Sequence, residues 1–411
     1  MFEAFHITVH GAGHIKQSQP CEDYSTSLIE SSFQVFVVAD GHGSSSCPRS
    51  RLGSEYVCRA ATEKLSDFAR AVEKEHWEDR LFQAKTAQAL VKQLVTSIVA
   101  DWNTVVNEEF EANPLTEEER AGCGKYLAQY DRGERIEHIY GTTMMAGLLT
   151  EKYLLLLQQG DGRCDVFARD GSVSQPVPWD DKCFSNVTTS MCDTDVIESC
   201  RYCVIDLEKE PVAAVMAGSD GVEDSFFSMD QMHSYYRELL AYAAQPEGSV
   251  EKLTGYLEET LPEFSARGSQ DDTSIGGFID RECVAGLLEV FRKENQVVEV
   301  RTGLKYVEDR IASMESGKLQ YLKKKRDRLA GVGKKDEYEA AGKEYDDYKN
   351  RYEGLLEERR LYLRRLKSLK DGTNEELPVK TVETGLKETD ERSIQTGFLG
   401  DSCDPGDACR A

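Results

Sequence analysis

Val37 to Ser44, VVADGHGS, is the stretch on which the reading of this chain turns. Four apolar residues from Phe36 lead into Asp40, and Gly41, His42 and Gly43 follow at once. The run from Phe33 to Ala39 has the length and content of a buried strand. An aspartate at the end of such a strand projects into a cleft while the sheet holds its backbone. The flanking glycines let the chain turn sharply there and expose backbone carbonyls. Taken alone, the string also reads as a strand followed by an ordinary turn.

Four other places repeat the arrangement. AGSDGVED sets Asp220 after the apolar run Ala213 to Ala217, with Asp224 one helical turn on. SQDDTSIGGF sets Asp271 and Asp272 before another run, QQGDGRCDVF sets Asp161 between two, and CED contributes Glu22 and Asp23 upstream. If these strand ends meet at one edge of a sheet, they make an oxygen-rich pocket of the kind Mg²⁺ or Mn²⁺ prefers. Clustered carboxylates repel one another, and a cation is the simplest means of holding them together.

Around these sites the chain up to about Asp280 mixes both kinds of element. Phe5, Ile7 and Val9 alternate with polar residues like one face of a strand. Met144 to Leu149, Tyr153 to Leu157 and Ser274 to Ile279 are further short apolar runs. Val57, Ala61, Leu65, Phe68 and Val72 form one helical stripe, and Leu90, Leu94, Ile98, Trp102 and Val105 another. A helical stretch is expected near Gln231 to Leu261, and the polar segment Asn113 to Glu137 reads as a surface insertion. Sheets flanked by helices in a layered α+β arrangement follow.

From about Cys283 the strand signals end. Val300, Leu304, Val307, Ile311 and Met314 recur every three or four residues. After Gly331-Val332-Gly333 a second series runs through Tyr338, Ala341, Tyr345, Tyr348, Tyr352 and Leu355, skips Arg359, and resumes at Tyr362, Leu366 and Leu369. The spacing is heptad-like. It predicts two long helices packed antiparallel as a hairpin, with one extended helix in a dimer as the alternative. Residues 372–411 are poor in apolar side chains and read as an acidic, disordered tail. The expected division is 1–280, 281–371 and 372–411.

The 411 residues carry a net charge of −24, which sets most of the surface against nucleic acid and anionic membranes. No apolar run, Leu154 to Leu157 among them, approaches the roughly 20 residues that span a bilayer. MFEAFHITVHGAGHI has no basic region followed by an apolar run, so no export signal is expected. The expected location is the cytoplasm, with the twelve cysteines as reduced thiols, Cys200-x-x-Cys203 included.

In order, CED, DGHG, GTT (Gly141 to Thr143), GDGR, SDGxxD and DDTS resemble the motifs of the metal-dependent type 2C protein serine/threonine phosphatases. The likeness covers about residues 1–280. His14, the Pro20-Cys21-Glu22-Asp23 string and Asn186-Val187-Thr188 look most like a bacterial branch. The resemblance implies an α-β-β-α sandwich, two antiparallel sheets flanked by helices, with two Mn²⁺ or Mg²⁺ ions at one end. It implies that Asp40 bridges the two ions and that the Gly41 carbonyl binds one. Asp220 and Asp271 would complete the first ion's site, and Asp23 with Glu22 would hold the second. Asp161, Asp220 and Asp224 match a looser third site in some relatives, and His42 matches a proposed general acid.

The implied substrates are phosphoproteins, with a serine/threonine kinase or its targets as partners and self-association through the helical segment. Many relatives carry a phosphate-gripping arginine four residues before the glutamate of CED. Here that position is Ser18, and Lys16 or His14 is the candidate replacement. Asp272 stands where an asparagine is common. The competing reading, a catalytically weak scaffold acting through its helical tail, draws on Ser18.

Overall fold

A computed structural model describes residues 1–184, 187–330 and 334–373. Asn186, the Gly331-Val332-Gly333 break and nearly all of the expected tail lie outside the described residues. The chain divides into two compact units, Met1–Phe291 and Arg292–Ala411.

The first unit holds ten strands: β1 (Phe2–Val9), β2 (Tyr24–Ile29), β3 (Phe33–Ala39), β4 (Met144–Thr150), β5 (Tyr153–Gln159), β6 (Arg163–Ala168), β7 (Val173–Ser174), β8 (Arg201–Asp206), β9 (Val212–Gly218) and β10 (Thr273–Asp280). They form two sheets, ordered β1-β10-β9-β6-β7 and β2-β3-β4-β5-β8. Every pairing is antiparallel. Each apolar run read from the sequence is a strand.

Period-two alternation sorts the side chains between layers. On β3, Val35 and Val37 face the helices Ser50–Glu75 and Ala84–Ala112, which supply Val57, Leu65, Ile98 and Trp102 to the same core. Phe36 and Val38 point the other way, into the layer between the sheets. There Phe36 meets Phe278 of the opposite sheet edge to face, ring centroids 4.9 Å apart. On β9, Met216 packs under the helices Met229–Ala243 and Val250–Arg267, whereas Val215 lies between the sheets. The result is the expected four-layer α-β-β-α sandwich.

Two details add to the sequence reading. The surface segment Asn113 to Glu137 is anchored to the core, burying Cys123, Tyr130 and Ile136 while most of its other residues stay exposed. Arg49 clamps it by bonding Glu119 at 2.8 Å and the Asn113 carbonyl at 2.7 Å. The first unit also runs on past Asp280, because Val284, Leu287 and Phe291 are buried in the core under β9 and β10. A cut at Cys283 would remove them.

The second unit begins at Arg292, within helix Leu288–Glu315, and continues through helices Lys318–Leu329 and Lys335–Asp371. Partners descend on one side as they climb on the other: Lys325 pairs with Glu344, Tyr352 with Glu315 and Arg359 with Glu308. That is the antiparallel hairpin. Its apolar seam is thin, with Val307, Ile311 and Leu355 clustered and single residues such as Val300, Leu322 and Ala341 also buried. No helix among the described residues is long and apolar enough to cross a membrane.

Candidate metal centre

Strand register brings the acidic segments to one end of the sandwich. Tyr24 pairs with Ala39, so Asp23 and Asp40 extend side by side from neighbouring strands. Ile275 pairs with Gly218, which puts the segment before β10 beside the one after β9. Asp271 and Asp272 thereby come near Asp220. Asp161 lies in the short β5–β6 turn.

The GTT motif clamps the backbone of Asp40. Its N–H donates to Thr143 Oγ1 at 3.0 Å, and its carbonyl accepts from Thr143 N at 2.8 Å and Thr142 Oγ1 at 2.9 Å. Gly41 has to be glycine, since a Cβ there would lie 2.7 Å from the Glu22 carbonyl oxygen. Gly221 is constrained more severely: a Cβ would stand 2.0 Å from the Asp272 carbonyl oxygen. The small residue after Asp220 thus lets the helix Asp220–Glu223 close onto the Asp271–Asp272 segment.

The carboxylates perturb one another strongly. Burial raises the pKa of Asp40 well above the ordinary range, and Asp220, Asp23 and Asp271 add to it. The Asp40 and Asp220 side chains lie close enough to act directly on each other, and two bare carboxylates at such range repel. Asp220 is pushed up to about 6 by burial, with Asp40 opposing and Asp161, Asp271 and Asp224 reinforcing. Asp23 is raised by burial and by Asp272 and Asp220, and its Oδ2 is buried with no hydrogen-bond partner. Lost hydration raises Glu22 as well, although its Oε2 accepts from Ser50 Oγ at 2.7 Å. Asp224 is exposed and raised by partial desolvation, then by Glu223, Asp161 and Asp271. An orphaned buried oxygen and a carboxylate pair that needs a proton or a cation between them fit hard divalent ions.

His42 is half-buried, and lost hydration lowers its pKa to about 4. Its Nε2 lies 2.7 Å from Ser190 Oγ, and that hydroxyl donates to the Thr142 carbonyl at 3.1 Å. Ser190 therefore accepts from the ring, so Nε2 carries the hydrogen and Nδ1 keeps the lone pair. Ser190 stands in no motif, and nothing in the sequence marks it. The arginine of GDGR also acts at one remove: Arg163 grips Glu223 at 2.5 and 2.8 Å and lies 3.7 Å from the Trp179 ring, buttressing the helix that begins at Asp220.

The two phosphate-binding candidates separate. Lys16 is exposed on the helix Ala12–Gln17. His14 faces carboxylates, with Nδ1 3.0 Å from Asp272 Oδ2 and Nε2 3.4 Å from Asp271 Oδ1. Asp272 itself ties three segments together, accepting from Gly11 N at 2.6 Å and Glu22 N at 2.7 Å. An asparagine there would turn its NH₂ toward one of those two donors, which accounts for the carboxylate. Among the described residues, a group outside the expected metal ligands has candidate ligand atoms that all lie within 4.8 Å of one another: His10, His14 and Asp272.

Comparison with known proteins was made at three levels. No curated protein sequence matches the chain. Among solved structures, a bacterial serine phosphatase is 18% identical over 68% of this chain and 97% of its own, with a TM-score of 0.43. Staphylococcus aureus serine/threonine phosphatase Stp1 is 18% identical over 68% of this chain and 95% of its own, with a TM-score of 0.42. A C. elegans sex determining protein is 15% identical over 70% of this chain and 67% of its own, with a TM-score of 0.44. The family model described as Protein phosphatase 2C matches residues 10–258, more than half of the chain, which therefore belongs to the protein phosphatase 2C family of protein serine/threonine phosphatases.

Proposed function

We propose that the chain hydrolyses phosphoserine and phosphothreonine in proteins with the help of two divalent cations, Mn²⁺ or Mg²⁺, held by its clustered carboxylates. Asp40 would bridge the ions. Asp220, Asp271 and the Gly41 carbonyl would complete one site, and Asp23 with Glu22 the other. Asp161, Asp220 and Asp224 would hold a weaker third ion. The observation that carries this reading is the convergence of Asp40, Asp23 and Asp220 at the ends of neighbouring strands, with the Asp23 Oδ2 buried and without a hydrogen-bond partner. When bound, a pair of such cations lowers the pKa of a shared water and offsets phosphoryl charge.

This chain's own residues do the rest. The two threonines that clamp the Asp40 backbone fix the strand end from which its carboxylate projects, limiting reorganisation as charge develops. His42 is the proton donor to the departing seryl or threonyl oxygen. Since Nε2 is committed to Ser190, the proton moves at Nδ1. The ring is neutral near pH 7 and takes up that proton only when an anionic phosphoester raises its pKa. Lys16, the exposed cation of its helix, would stand in for the arginine missing at Ser18, since His14 is turned toward Asp271 and Asp272.

The reading locates the reaction in the cytoplasm, in keeping with the free thiols of the described cysteines. The helical hairpin would serve as a spacer, a self-association handle or a docking arm for a kinase or its targets. The test is Mn²⁺-dependent hydrolysis of a phosphothreonine peptide by wild type and Asp40→Asn. The variant is expected to lose on the order of 10³-fold in rate. Equal rates, or no Mn²⁺-dependent rate in the wild type, would remove the proposal.

A further inference from the structure

His10, His14 and Asp272 stand apart from the carboxylate cluster in chemistry. Each offers a ligand atom, and the three atoms lie within 4.8 Å of one another. The Asp272 carboxylate is 1% exposed and the His14 ring 23%. His10 Nε2 lies 2.9 Å from the Gln19 carbonyl oxygen. A carbonyl can only accept, so Nε2 carries the hydrogen and Nδ1 presents its lone pair. An imidazole whose second nitrogen is anchored to a backbone carbonyl is the usual arrangement of a metal-binding histidine. His14 Nδ1 is buried without a hydrogen-bond partner, although Asp272 Oδ2 is 3.0 Å away. Asp272 is held still by the N–H groups of Gly11 and Glu22, and a second lone pair remains on each oxygen.

We propose that His10, His14 and Asp272 form a separate cation site, with two nitrogen donors and one oxygen donor, that takes Zn²⁺ or a similar borderline ion in preference to Mg²⁺ and Mn²⁺. Imidazole ligands favour Zn²⁺ over the hard ions that an all-carboxylate cluster selects. Three protein ligands leave a fourth position for water. The site joins the Gly11–Glu22 segment to the residues before β10. Asp272 holds the Glu22 N–H, and His14 also approaches Asp271 at 3.4 Å. An ion there braces the two segments that present Glu22 and Asp271.

The test uses the full-length protein with excess Mg²⁺, so that hard-ion sites are filled, and Co²⁺ as a spectroscopic probe displaceable by Zn²⁺. One bound Co²⁺ is expected with the intense visible absorption of a four-coordinate site and no near-ultraviolet thiolate band. His10→Ala, a partly exposed position, and His14→Ala should each weaken that signal by at least about tenfold. Cys21→Ser should leave it intact, and thermal melts without metal verify that the variants fold. An unchanged signal in folded His10→Ala, a thiolate band that disappears in Cys21→Ser, or no bound Co²⁺ in the presence of Mg²⁺ would each overturn the proposal.

Discussion

The two units solve different physical problems. The phosphatase unit must hold carboxylates from five separated segments against mutual repulsion and lost hydration. It does so with cores on both faces of each sheet, in which Phe36, Phe167, Trp102 and Tyr236 are almost wholly buried. The helical unit joins neighbours in an antiparallel pair and buries little. Its seam rests on Val307, Ile311 and Leu355, and its cross-helix ion pairs are exposed. A strained site requires a rigid frame, whereas a hairpin arm requires only enough contact to stay paired.

The largest expected effect probes that frame. Phe278→Ala, between the sheets, should cost about 3–5 kcal/mol in urea unfolding. Leu355→Ala in the helical seam should fall at or below the lower edge of the usual Leu→Ala range, about 2 kcal/mol. Equal losses would erase the contrast between the units. Next comes the proton donor. His42→Gln should lower kcat about 10²-fold at pH 7 while leaving the Mn²⁺ concentration dependence unchanged. A parallel shift in Mn²⁺ dependence would mean that the ring supports ion binding instead.

The carboxylate cluster predicts a pH effect of intermediate size. Asp220 titrates at about 6 in the folded protein against an ordinary 3.8. The native state therefore binds more protons than the unfolded state across that interval, and stability without metal falls as pH rises through it. Mn²⁺ should raise Tm more at about pH 7 than at about pH 4.5, where protons already relieve the repulsion. A gain independent of pH would place ion binding away from these aspartates.

The smallest effects belong to the hairpin. Arg359 and Glu308 are 45% and 43% exposed, so Arg359→Ala should change stability by less than about 1 kcal/mol. Ending the chain after Phe291, which keeps Val284, Leu287 and Phe291 in the core, should leave hydrolysis of a small phosphate ester near the full-length rate. Loss of that rate in a folded truncate would show that the arm takes part in catalysis.

Read from the sequence alone, the strands around VVADGHGS, the two helical stripes and the order of the acidic motifs were legible. Strand alternation, helical periodicity and glycine next to aspartate are local signals, and each records a choice the backbone makes over a few residues. The hairpin was legible for the same reason, through its repeating spacing. Tertiary structure alone decided what happens when distant segments meet. It sets Ser190 against His42, turns Arg163 onto Glu223 and Trp179, and makes Asp272 the common acceptor of Gly11 and Glu22. It also brings His10 and His14 to that same carboxylate. These contacts join residues tens to hundreds of positions apart, and no local pattern encodes which buried polar atom will find which partner.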